Sequence, residues 1–242
     1  MPQRTTKICM GVVAMQKYAI IFKGIFMMEL PQDNYSLFKG EIKMYKKITL
    51  FSLMIISISI SVSAAYEPYG SHASEKWQIW AYSTAAPSFL GDKATIIGNN
   101  GEIIRQGSNG WTCMPMNPRP VPEKGWKNAH EAMPACSDAE GLKWMEAFSK
   151  NEKPQLSRYT FMWMLHGDVG EDNTTPLVMS EEESTPGQWI ESGPHLMLIP
   201  KDAAEVADFT EDFLHGEPYV MMRDTVYAHI MIPTEGYYKY TK

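Results

Sequence analysis

Alternation of side chains with a period of two marks the second half of the chain. Across residues 158–166, Tyr159, Phe161, Trp163 and Leu165 fall on one face of an extended segment, and Thr160, Met162, Met164 and His166 on the other. This is the most apolar strand candidate outside the N-terminal region, and it predicts a central position in a sheet. Residues 195–199 (HLMLI) predict another strand, ended by Pro200, and residues 219–223 and 226–232 a last strand pair, ended by Pro233.

Upstream, residues 76–83 (KWQIWAYS) alternate Trp77, Ile79 and Ala81 against Gln78, Trp80 and Tyr82 and predict a first strand. Residues 94–98 and 102–106 flank an Asn-Gly turn at Asn100-Gly101, and Asn109-Gly110 leads into a third short strand, so an antiparallel meander is expected. Pro115, Pro118, Pro120, Pro122 and Pro134 exclude regular structure from most of the loop that follows. Ser137 and Glu140 have the S-x-x-E spacing of a capping box, predicting a helix to about Lys150 with Leu142, Met145 and Phe148 on its apolar side. Residues 167–187, rich in Asp, Glu, Thr and Pro, read as an exposed connection, and Asp202 with Glu205 opens a second, short helix to about Phe209. The pattern gives an α+β fold: an antiparallel sheet of about six to eight short strands, one main helix and one short helix.

The N-terminal region changes the domain reading. Met44-Tyr-Lys-Lys47 is a basic start, residues 48–62 are apolar, and Val62-Ser-Ala-Ala65 supplies small residues for cleavage, so residues 44–65 read as a signal peptide. Residues 1–43 then read as an upstream extension from a misassigned start, and 66–242 as one exported globular domain, periplasmic or extracellular. At 18 residues the 48–65 run also reaches the lower edge of a membrane span, but its serines and small-residue end favour cleavage, with no stable membrane insertion afterwards. Removing residues 1–65 takes 8 basic and 3 acidic side chains from totals of 22 and 28, which leaves a net charge of −11. So acidic a chain repels phosphate backbones, which excludes nucleic acid as a partner class. Only Cys113 and Cys136 remain after cleavage, a count that favours a disulfide over a metal site and predicts a staple tying the hairpin region to the helix.

The segments GSNGWTC, GPHLM and PYVM leading into YAHIMIP, together with the cysteine before the capped helix, resemble a family of uncharacterised, exported bacterial proteins. The resemblance covers most of the mature chain and none of residues 1–43. It implies export and a single domain, and it brings no activity and no functional residue.

Candidate chemistry lies in soft ligands. Met162-x-Met164-x-His166, His195-x-Met197 and His229-x-Met231 each sit on an expected strand, where alternate side chains share a face. Thioether with imidazole suits Cu(I). If the three strands adjoin, Met162, Met164, His166, His195, Met197, His229 and Met231 converge; the competing reading is core packing by methionine, which fills irregular gaps well. The acidic turn 166–173 (HGDVGEDN) offers carboxylates for Ca²⁺ without the EF-hand spacing. Asn173-Thr-Thr175 matches a glycosylation acceptor. The G-x-S-x-G elbow and the H-E-x-x-H pair are missing, although Asp138, Asp168, His195 and His229 remain candidates for an unrecognised secreted hydrolase. Cofactor, ligand and partner are otherwise unassigned. The reading that follows is a non-catalytic binding or interaction protein, with periplasmic copper binding and hydrolysis as alternatives.

Overall fold

The computed structural model describes residues 66–241; the extension expected at 1–43 and the signal peptide expected at 44–65 lie outside the described residues. Among the described residues no helix is long and apolar enough to cross a membrane. Among the described residues the fold is α+β, with a mixed eight-stranded sheet, four α-helices and one disulfide.

The first element is a helix where alternation predicts a strand. In α1 (Glu75–Ser83), Ser74 accepts a hydrogen bond from the Trp77 N–H, and the buried Trp77, Gln78, Ala81 and Tyr82 recur at helical spacing. Over so short a segment Trp77, Ile79 and Ala81 fit a period of two as well, and the cap with the one-sided burial decides for the helix. A single short turn, α2 (Ser88–Gly91), follows.

β1 (Thr95–Ile97) and β2 (Ile103–Arg105) form the expected hairpin, its turn closed by the Gly101 N–H donating to the Gly98 carbonyl at 3.0 Å. β3 (Thr112–Pro115) corrects the meander, because it pairs with the other side of β1 and runs parallel to it. The chain crosses the start of β1 at Gly107, where a Cβ would lie 2.2 Å from the Thr95 nitrogen, so only glycine permits this approach. The proline-rich loop is irregular apart from α3 (Ala129–Ala132), capped by Asn128 and closed by Met133 in the left-handed conformation at φ 49°.

β4 (Pro134–Ser137) lies antiparallel to β3 with Cys113 directly opposite Cys136, and their sulfurs are bonded at 2.06 Å. The staple therefore joins two adjacent strands, not a hairpin to a helix. Strand pairing also takes Ser137, whose hydroxyl donates to the Phe161 carbonyl at 2.7 Å. Asp138 caps α4 (Ala139–Ser149) in its place, accepting from the Glu140 and Gly141 N–H groups and from the Thr160 hydroxyl. Burial pushes the Asp138 carboxyl up, but these bonds and Arg158 outweigh it and hold the group below its ordinary range.

The rest of the sheet is antiparallel: β5 (Thr160–Met164), β8 (His195–Ile199), β9 (Tyr219–Met221) and β10 (His229–Pro233) complete the order β2-β1-β3-β4-β5-β8-β10-β9. The stretch expected to be an exposed connection contains β6 (Glu171–Asp172), which pairs with β7 (Trp189–Ile190) just beyond it, and Asp168, Asp172 and Asn173 within it are buried. Asp202 and Glu205 do form a capping box, over a 3₁₀ turn at Ala203–Val206 that is shorter than the expected helix.

The two faces of the sheet bury different chemistry. Cys113, Cys136 and Trp163 meet Trp77, Ala81 and Tyr82 of α1 on one face. On the other, Ala135, Met162, Met164, Met197, Met221 and Met231 meet Trp144 and Met145 of α4.

Because the disulfide closes a loop of 23-residue separation whose prolines block regular structure, loop-closure entropy predicts that Cys113→Ala/Cys136→Ala lowers the unfolding free energy by about 3 kcal/mol. Urea unfolding measures this. A loss below about 1 kcal/mol shows that the loop is held by its packing and hydrogen bonds instead.

Candidate functional site

Strand register brings the soft side chains together. Met162 on β5 faces Met197 on β8, which faces Met231 on β10, so three thioethers form one row across three strands. Met164 lies directly opposite His195, and His229 directly opposite Met221 of β9. Residues two apart on a strand share a face, so His195 stands beside Met197 and His229 beside Met231. Six of the seven predicted ligands, Met162, Met164, His195, Met197, His229 and Met231, line a single cavity of about 510 Å³. Met221 and Trp144 line it too. Leu177 and Met179 also belong to its wall and are 40% and 39% exposed, which puts its mouth at that loop.

Both cavity histidines are held in one tautomer by their own strand. His229 Nδ1 is 2.9 Å from the Tyr227 carbonyl, and His195 Nδ1 is 2.8 Å from the Gly193 carbonyl. A carbonyl oxygen only accepts, so each Nδ1 carries the proton and each Nε2 presents a lone pair. Nε2 of His229 is buried with no hydrogen-bond partner among the described residues, a state that costs free energy unless something occupies it. Burial pushes the His229 pKa down to about 4, and the ring is also tilted against the Trp144 indole, with centroids 5.4 Å apart. Burial lowers the His195 pKa as well, against the pull of the nearby Asp168 carboxylate.

The third histidine is elsewhere. β5 ends at Met164, the Leu165 N–H donates to the Ala85 carbonyl at 2.9 Å, and Gly167 turns the chain at φ 72°. His166 therefore leaves the methionine face and meets Thr84, Nε2 lying 2.8 Å from Oγ1, and the Trp80 ring. Its place among the predicted ligands is corrected, and Met221, on the strand expected at 219–223, takes the equivalent role beside His229. The signal for Met221 was present in the alternation of that strand; Trp144 showed only as part of an apolar helix side.

Acidic groups border the cavity near His195. Asp168 and Glu171 line it, and none of the lining residues is lysine or arginine. Asp168 accepts from the Ser192 hydroxyl and from the Gly170 N–H. Burial and the neighbouring Asp168 push the Glu171 carboxyl up to about 8. Asp172 instead accepts from the Thr174 and Thr175 N–H groups, and so the acidic turn does not converge on one cation. No group of three or more His, Cys, Asp or Glu able to hold a metal gathers among the described residues. Asn173 is fully buried, donating to Gln188 and to the Glu211 carbonyl, so its side chain is not available to a glycosyl donor.

Ser192, Asp168 and His195 are adjacent, but their bonds run the wrong way for a nucleophile. The Ser192 proton points to Asp168, and the His195 nitrogen nearest Ser192, Nδ1 at 3.4 Å, already donates to Gly193. Asp138, the remaining hydrolase candidate, caps α4 and bonds Thr160 and Arg158.

No protein-family model, curated protein or solved structure matches the chain.

A histidine kept neutral in the fold and free to charge when unfolded makes stability pH-dependent. For His229 the folded value of about 4 lies below the unfolded value of about 6.5, so its contribution is complete above about pH 6.5 and is lost as pH falls toward about 4. Each such group adds about 1.4 kcal/mol per pH unit across that window. In chelator-treated protein, His229→Leu is expected to flatten the fall of urea-unfolding free energy by about that slope. A slope equal to wild type contradicts the assignment.

Proposed function

We propose that the protein is a non-catalytic binding protein that holds a soft metal ion, Cu(I), in the methionine-lined cavity, and that it does so outside the cytoplasm. The observation that carries this reading is the convergence of six of the seven His and Met side chains on one cavity wall. Thioether sulfur and neutral imidazole are donors that select Cu(I) over harder ions. The Gly193 and Tyr227 carbonyls fix both imidazoles with the Nδ1 proton engaged, which leaves Nε2 as the nitrogen that could bind a metal. The rim favours a cation, since Asp168 borders it and no basic side chain lines it. An exported location, expected from the signal-like segment at 44–65 and compatible with the Cys113–Cys136 disulfide, is one in which a copper-binding protein has a role.

Methionine packing alone supports the rival reading of an ordinary core. It gives no account of the orphaned Nε2 of His229 or of the open volume beside it.

Anaerobic titration of the purified domain with Cu(I) against a competing chelator tests the proposal. The expected result is an affinity about 100-fold above that of His195→Ala/His229→Ala, about 2.7 kcal/mol of binding free energy, with no competition from equimolar Zn²⁺. Equal affinity in the two proteins overturns it.

A further inference from the structure

Resting on the Cu(I) reading, we infer that the cavity contains two ion sites and not one: His195 with Met164 and Met197, and His229 with Met221 and Met231, with Met162 flanking the first set opposite Met197. The register carries the inference. His195 is opposite Pro233, and His229 lies four residues earlier on that same strand. Their Cα atoms are therefore about 13 Å apart along the sheet. Both rings stand off one face, and each is tied by Nδ1 to the carbonyl two residues before it, at opposite ends of the antiparallel strand pair, which draws the rings away from each other. At a metal–nitrogen distance of about 2 Å, one ion is not expected to bind both.

Each histidine has the same local set. One methionine lies directly opposite across the ladder, Met164 for His195 and Met221 for His229. A second lies two residues along the same strand, Met197 or Met231, and these two face each other. The H-x-M pattern on β8 and β10 thus encodes one three-donor set twice. The sets differ in their surroundings. Asp168 lines the cavity and accepts from the Ser192 hydroxyl, which lies 3.4 Å from His195 Nδ1, so the site beside that carboxylate fills first, whereas His229 is packed against Trp144. With the two ring centroids 5.4 Å apart, an ion bound at His229 would be near enough to the indole to quench its emission.

Cu(I) titration of the domain, read by bound-copper stoichiometry and by Trp fluorescence, separates the possibilities. Two equivalents are expected, with quenching absent until the first has bound and abolished in Trp144→Phe. Met164→Leu/Met197→Leu, volume-conserving changes that keep the core filled, should lose one equivalent and retain the quenching. Met221→Leu/Met231→Leu should lose one equivalent together with the quenching. A wild type that binds only one equivalent, lost in either double variant, overturns the two-site inference and leaves the Cu(I) reading intact. No bound copper in the wild type overturns both.

Discussion

The register of β5, β8, β10 and β9 is the constraint on which the candidate site depends. Side chains alternate across a sheet, so a slip of one residue on β8 would send His195 and Met197 to the opposite face and bring Leu196 and Leu198 to the cavity. Local features pin that register. Gly193 packs against the backbone at Gly236 and Tyr237 too closely for any Cβ, and its N–H donates to the Tyr237 carbonyl at 2.8 Å. Pro200 ends the strand at its far side. The imidazole bonds to the Gly193 and Tyr227 carbonyls add side-chain anchors at the same two strand starts.

Around that register the two sheet faces divide the work. The α1 face is aromatic, with the disulfide packed in one cluster with Trp77 and Tyr82. The α4 face is built largely from methionines and holds the cavity. A core that tolerates a cavity loses dispersion contacts along its walls, and the buried, unpartnered imidazole nitrogen adds to that cost. Both costs fall at one place, where the donors suited to a soft cation are concentrated.

Much of this was legible from residue patterns and some was not. β5, β8 and β10 were legible because M-x-M, H-x-M and terminal prolines fix both period and end. The capping box at Asp202 was legible for the same local reason. α1 was not, because eight residues with aromatics on both sides fit either period, and only the Ser74 cap separates them. The parallel pairing of β3 with β1 depends on the close approach at Gly107, a contact with no local pattern. His166 was misplaced because alternation was extended past Met164, and the chain turns at Gly167 to satisfy the Leu165 N–H on Ala85. That a histidine faces a cavity, and which nitrogen is free, follows from tertiary contacts alone.

X-ray absorption at the copper edge of the Cu(I)-loaded domain tests the central claim most directly, since it reads the atoms bound to the ion. The account predicts a first shell of sulfur with nitrogen, in a ratio of about two thioethers to one imidazole. A shell of nitrogen and oxygen alone would contradict it and return the methionine face to the role of a packed core.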